Sequence, residues 1–160
     1  MVTHWQERKE IGDAHEQKVA MALRTRGWTV ERCGQGTYPA VIRQALARTA
    51  STLRWFPDLI AARDGEVVTI DAKDRMPSTT SDQYALSTAA VNAGLLFTAT
   101  HAPTPLYYVL GDLKILTPAE VLHYTAHARR HHSGAYHLIS TRHAHHFDEV
   151  FGSARARAAS

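Results

Sequence analysis

One cysteine, Cys33, stands among 160 residues. A lone thiol excludes an internal disulfide and any cysteine-rich zinc site. With no activating neighbour in sequence, it is expected to be a reduced structural side chain. No apolar run reaches the roughly 18 residues that a membrane-spanning helix needs. The opening residues Met1-Val2-Thr3-His4-Trp5-Gln6 carry no apolar signal core, so a cytoplasmic protein is expected. There is no internal repeat, no long low-complexity linker and no zinc-finger, recognition-helix or stacking-aromatic motif, which argues against sequence-specific reading of nucleic acid. Charge of one sign is not in large excess either: 18 Lys and Arg against 15 Asp and Glu leave a formal +3, a weak pointer to a polyanionic partner.

What is present is an ordinary globular balance, 44% hydrophobic and 21% charged, at a length suited to one domain. Histidine departs from the average: there are 11, nine of them after position 100, so partial protonation makes the C-terminal half more basic than the formal count.

Periodicity and punctuation set the expected elements. Residues 12–27 read as a helix, with Asp13 as N-cap, Glu16 closing a capping box and Gly27 as stop. Residues 28–32 alternate as a strand. A Gly34-Gln35-Gly36 turn and a short helix over 39–50 follow, with Val41, Ile42, Ala45 and Leu46 on its apolar side. Strands over 56–62 and 66–72 flank Asp64-Gly65, a strong two-residue hairpin signal. Ser81 is expected to cap a helix running to about Asn92. Residues 95–100 and 105–110 read as strands. Thr117-Pro118-Ala119-Glu120 opens a helix with a capping box. Residues 136–140 read as a strand, 147–151 as a helical turn and 155–160 as a frayed basic tail. This order predicts an α/β protein with a mixed sheet and helices on both faces.

The hairpin carries the chemistry. Counting outward from Asp64-Gly65, Arg63 opposes Glu66, Ala62 opposes Val67 and Ala61 opposes Val68. Continued, the count sets Asp58 opposite Asp71, with Lys73 on the same face as Asp71. Opposed carboxylates are destabilising, and apolar strands made of Leu59, Ile60, Val68 and Ile70 are a poor place for them. A hard divalent cation resolves the conflict, since magnesium uses one or two carboxylates together with waters and a phosphate oxygen. Lys73 beside it can orient or deprotonate an attacking water, or neutralise transition-state charge.

Pro57-Asp58 followed by Asp71-Ala72-Lys73 on the next strand resembles the PD-(D/E)XK nuclease superfamily. The context is similar too: Gly12-Asp13-Ala14-His15-Glu16 leads into Val19-Ala20-Met21-Ala22-Leu23 and then Arg26-Gly27-Trp28-Thr29-Val30. This layout looks like the archaeal-type Holliday junction resolvases and related small endonucleases, over about residues 8–116. The resemblance implies a restriction-endonuclease-like α/β core, a central mixed β-sheet flanked by helices, with a catalytic β-hairpin. It implies a magnesium-dependent DNA endonuclease, with manganese able to substitute, acting as a homodimer in recombination, repair or a mobile element. Asp58, Asp71 and the carbonyl of Ala72 would be metal ligands and Lys73 the catalytic lysine. Glu16 would complete the metal site, a role that competes with its capping box. Gln83, near the start of the next helix, lies where some relatives carry a glutamine facing the site.

Residues 1–122 are expected to form the nuclease-like domain, with an insert at about 34–54 that is longer than in compact resolvases. Residues 123–160 would be a His-rich extension. Candidate phosphate contacts are Arg8, Lys9, Arg32, Arg43, Arg48, Arg54, Lys73 and Arg75, with Arg43 and Arg48 on the inserted helix. His123, His127 and His131, spaced by four, would share a helix face; an exposed histidine-rich surface is the simpler account than a transition-metal site. Two other functions stand as alternatives: a catalytically inactive nuclease-fold DNA-binding module, and a histidine-based metallohydrolase.

Overall fold

A computed structural model describes residues 4–74, 82–125, 128–131 and 134–154. Helix α1 (His4–Arg24) is followed by β1 (Thr29–Arg32), α2 (Ala40–Ala47), β2 (Leu59–Arg63), β3 (Glu66–Lys73) and β4 (Gln83–Ser87). Then come α3 (Thr88–Thr100), β5 (Leu106–Leu110), β6 (Ile115–Leu116), α4 (Pro118–Tyr124), β7 (Ala128–His131), β8 (Gly134–Ser140) and α5 (Phe147–Phe151). A mixed five-stranded sheet has the order β1-β2-β3-β5-β6, with β3 and β5 parallel and the other pairs antiparallel. A second, antiparallel sheet has the order β4-β8-β7. The expected α/β class and mixed sheet are as found.

One face of the large sheet is covered along β1, β2, β3 and β5, and the other is covered over β5 and β6, while Ile60 and Val67 stay 41% exposed. On one, Val19 and Leu23 of α1 pack with Val30, Leu59, Ala61, Val68, Ile70 and Val109, and with Trp28, Phe147 and Phe151. On the other, Val91 and Phe97 of α3 and Val121 of α4 pack with Leu106, Tyr108, Leu110 and Leu116, and with Tyr84, Leu86 and Ile139 of the second sheet. β5 therefore alternates, Val109 to one core and Leu106, Tyr108 and Leu110 to the other, as a strand covered on both faces must. The segment beyond residue 122 contributes to both cores. Phe151 meets the Trp28 ring edge-to-face at 5.8 Å, and its carbonyl accepts Trp28 Nε1 at 3.0 Å.

Several local expectations are corrected. α1 begins far upstream of Gly12, because residues 4–11 are mostly good helix formers and one glycine costs only about 1 kcal/mol. It stops in a Schellman arrangement, with Gly27 N–H donating to Arg24 O (3.0 Å) and Trp28 N–H to Leu23 O (3.2 Å). Residues 83–87 are strand, not the first turn of a helix. Ser87 caps α3, accepting from Ala90 N–H at 3.1 Å; Ser81, the expected cap, lies outside the described residues. Residues 95–100 are the end of α3, not a strand. Gly94 lies inside it because a Cβ there would sit 2.2 Å from the Tyr108 hydroxyl and 2.9 Å from Pro118. α2 exposes its apolar side: Val41 is 76% exposed and none of its residues is buried. The capping box at Thr117 and Glu120 forms as expected. α4 ends at Tyr124 and His131 lies on β7, so His123 and His131 share no helix face; His127 lies outside the described residues.

Candidate active site

The Asp64-Gly65 turn has positive φ at both central residues, 51° and 82°, as a tight hairpin requires. The register runs as counted for five pairs, from Arg63↔Glu66 to Leu59↔Ile70. The sixth does not form. Asp58 N–H donates at 2.9 Å to Ile70 O, the carbonyl of the residue facing Leu59, so Asp58 and Leu59 share one partner and the strand bulges at its entrance. Direct opposition of Asp58 and Asp71 is thus corrected. Pro57 offers no N–H to extend the ladder, and the Asp58 carbonyl is taken instead by Cys33 N–H at 2.8 Å.

The bulge still leaves the Asp58 carboxylate at the hairpin end, its Oδ2 accepting Ala72 N–H at 2.8 Å. Burial pushes its pKa well above the usual carboxylate range, and the nearby charges of Asp71 and Glu16 push the same way, against the Ala72 N–H and Lys73. Lys73 Nζ lies 2.8 Å from Asp71 Oδ2 and 5.7 Å from the centre of the buried Tyr108 ring. Burial alone would favour a neutral amine. Asp71, Asp58 and Asp74 outweigh it and hold Lys73 as an ammonium, its pKa raised.

Glu16 arrives from α1, one turn before the buried Val19. Asp13 lies inside the helix, so it is no N-cap and the capping box does not exist; Glu16 is released from that role. Its Oε2 accepts Arg32 Nη2 at 2.9 Å, while Arg32 also reaches Asp13 at 3.1 Å. Burial raises the Glu16 pKa; Arg32 opposes this, while Asp13 and Asp71 add to it. The strand-end arginine expected to meet phosphate therefore has two carboxylate partners. The structure brings Glu16, Asp58, Asp71, Ala72 and Lys73 together, with Arg32 beside them.

Other expected residues stand elsewhere. Gln83 is the exposed first residue of β4, in register with Ser140, rather than on a helix. Arg48 follows the end of α2. Arg54 is exposed, its guanidinium 5.2 Å from the Trp55 ring centre. Arg43 lies within α2. Arg8 and Lys9 fall on α1, and Arg75 lies outside the described residues. Cys33 donates its thiol to Pro57 O at 3.1 Å. Burial, with Asp58 and Glu16 nearby, pushes that thiol up to about 11, which suits an unreactive side chain.

Three contributors escape sequence reasoning. Tyr108 under Lys73 is indistinguishable from any other apolar strand residue. The Asp13–Arg32 contact joins elements 19 residues apart. His15, 7% exposed, contacts Val109 O through Nε2 at 3.1 Å and pins α1 over β5. The Gly34-Gln35-Gly36 signal was legible, but its contact with Pro57 was not.

Among the described residues, no three His, Cys, Asp or Glu side chains form a ready-made metal cage. The donors that do converge are hard carboxylate oxygens whose mutual repulsion a cation would relieve. That fits magnesium, which is held by one or two carboxylates and otherwise by water and phosphate.

No protein-family model matches the chain, and no curated protein matches its sequence. Solved structures share the fold, these two among them. One is Hjc, a Holliday junction resolvase from the archaeal hyperthermophile Archaeoglobus fulgidus, at 16% identity and a TM-score of 0.54, covering 88% of this chain and 95% of that one. The other is D212, a nuclease from a fusselovirus, at 12% identity and a TM-score of 0.52, covering 94% of this chain and 92% of that one. The resemblance drawn from Pro57-Asp58 and Asp71-Ala72-Lys73 is met at the level of fold, and the likeness runs beyond residues 8–116.

Proposed function

We propose that the protein is a magnesium-dependent DNA endonuclease that hydrolyses phosphodiester bonds. The carrying observation is the convergence of Glu16, Asp58, Asp71 and Lys73 at one end of the hairpin, on a fold shared with a resolvase and a viral nuclease. Asp58, Asp71 and the Ala72 carbonyl are the proposed ligands of the ion, with Glu16 completing the set. A bound magnesium ion supplies Lewis-acid polarisation of the scissile phosphate. Lys73, held cationic by Asp71, neutralises charge developing on the phosphoryl oxygens rather than acting as a base. Arg32, bonded to Glu16 at 2.9 Å, holds its carboxylate in place and opposes the rise in pKa that burial causes. Arg8, Lys9, Arg43, Arg48, Arg54 and Arg75 are the proposed phosphate contacts, which position DNA without reading its sequence. Action as a homodimer on branched DNA, in the cytoplasm, in recombination, repair or a mobile element, completes the reading.

The test incubates purified protein with supercoiled plasmid, linear duplex, single strands and four-way junctions, in magnesium, manganese or EDTA. Metal-dependent cleavage is expected, with junctions cut best. Binding without cleavage on every substrate would instead make this a nuclease-fold DNA-binding module.

A further inference from the structure

We infer that residues 33–37 are a clamp that sets the position of the Asp58 carboxylate, with Cys33 and Gly34 as positioning residues. The inference rests on the proposed role of Asp58. The β1–β2 ladder ends at Arg32↔Leu59, yet contacts between the two chain segments continue past it and follow the approach to Asp58. Cys33 N–H holds the Asp58 carbonyl at 2.8 Å, and the Cys33 thiol holds the Pro57 carbonyl at 3.1 Å. Gln35 Nε2 donates to the Arg54 carbonyl. Gly34 lies flat on the same segment: a Cβ there would sit 2.5 Å from Pro57 O and 2.9 Å from Phe56 O. Its φ of 72° is also a left-handed value that side chains resist. Gly34 is in turn fixed, its carbonyl accepting Thr37 Oγ1 at 2.7 Å and Thr37 N–H at 3.2 Å.

The clamp supplies what the hairpin lacks there. Pro57 cannot donate to the ladder, and the bulge leaves Asp58 attached to β3 through its N–H to Ile70 O and its Oδ2 from Ala72 N–H. Cys33 holds the Pro57 and Asp58 carbonyls from the other side, and Gln35 holds the Arg54 carbonyl further back along the same segment. Gly36 extends the loop over the second carboxylate: a Cβ there would sit 3.0 Å from Arg32 Nη2 and 3.8 Å from Glu16 Oε2. The 2.5 Å contact is with backbone, so a methyl at position 34 must move the loop or the Pro57–Asp58 peptide. A displacement of about 1 Å at a reacting group costs on the order of a hundredfold in rate.

The test compares wild type, Gly34→Ala, Cys33→Ala, Cys33→Ser and Asp58→Asn. Three readouts are taken: Mn2+ affinity by electron paramagnetic resonance without DNA, single-turnover cleavage against DNA affinity in EDTA, and hydrogen exchange of the Ala72 amide in metal-free protein. Gly34→Ala is expected to weaken Mn2+ binding about tenfold and to slow cleavage about 10- to 100-fold, with DNA affinity in EDTA unchanged. Its Ala72 amide should exchange faster. Cys33→Ala should move the same way by less, and Cys33→Ser, whose hydroxyl can still donate to Pro57 O, should restore wild-type values. A folded Gly34→Ala protein with wild-type Mn2+ affinity, cleavage and Ala72 exchange would overturn the clamp. If Gly34→Ala does not fold, identical Mn2+ affinity and Ala72 exchange in Cys33→Ala, Cys33→Ser and wild type overturn it. Asp58→Asn separates the two claims. If it binds Mn2+ and cuts like wild type, the proposed active site fails, while Ala72 exchange in the position 33 and 34 variants still reports the clamp.

Discussion

The two ends of the β2–β3 hairpin are built from the same strands and obey opposite rules. At the turn end, Asp64 and Gly65 take the conformations a tight turn needs, Arg63 pairs with Glu66, and the register follows by counting. That end is anchored by the C-terminal helix, since Arg63 Nη1 donates to Phe151 O at 2.9 Å and to Arg26 O at 3.0 Å. At the open end the ladder bulges, Asp58 is half-buried with its acidity weakened, and two of the three carboxylates are held by cations from the same chain. Regularity serves the fold, and departures from it gather where chemistry is proposed, as expected of sites retained at a cost in stability.

That contrast predicts that changes at the turn end alter stability without altering the chemistry of folded molecules, while changes at the open end do the reverse. Phe151→Ala should have the largest effect on the fold. It empties a fully buried ring site against Trp28 and Tyr107 and should cost about 3–5 kcal/mol in a urea titration. Lys73→Ala should leave the melting temperature near wild type and lower the single-turnover cleavage rate by about 10²- to 10³-fold. Adding Mn2+ at about a hundred times its Kd should stabilise wild type by about 2.7 kcal/mol; Asp71→Ala should lose that gain. Gly65→Ala should cost only about 1–2 kcal/mol, because φ is positive while the space for a methyl is open, and cleavage per folded molecule should not change.

Asp58→Asn gives the pH signature. The folded-state pKa of Asp58 is raised, so folding favours its protonated form. The stability this contributes is fully present below the ordinary carboxylate pKa and is lost as pH rises through the raised value. The amide has no such loss and can still accept Ala72 N–H. Thermal melts should therefore show the variant more stable than wild type at pH 8, with the difference closing by pH 3. A constant difference across that range would mean that Asp58 titrates as an ordinary carboxylate.

Sequence reasoning reads well where signals are local. The Asp64-Gly65 turn, the Thr117 capping box and α5 need only neighbours in sequence. It fails where tertiary contact decides. The all-round apolar character of residues 89–100 reads as helix plus strand until the sheet face and α4 cover it. The helix expected to end near Asn92 runs on through Gly94, where only a glycine fits against Tyr108. In the candidate site, Asp58, Asp71 and Lys73 were legible as a motif, and their shared end of the hairpin followed from the turn count. The bulge was not legible, because it shows only in the bond from Asp58 N–H to the Ile70 carbonyl on the neighbouring strand. Asp13 and Glu16 imitate a capping box perfectly well; only the helix running through them shows that Glu16 is available to the site.

The most direct measurement is single-turnover cleavage of a labelled four-way junction by wild type, Asp71→Ala and Lys73→Ala at matched folded concentrations, in Mg2+ and in EDTA. The account predicts cleavage by wild type in Mg2+ alone, and loss of it in both variants while junction binding persists. Cleavage that survives in Asp71→Ala, or that proceeds equally in EDTA, would contradict it.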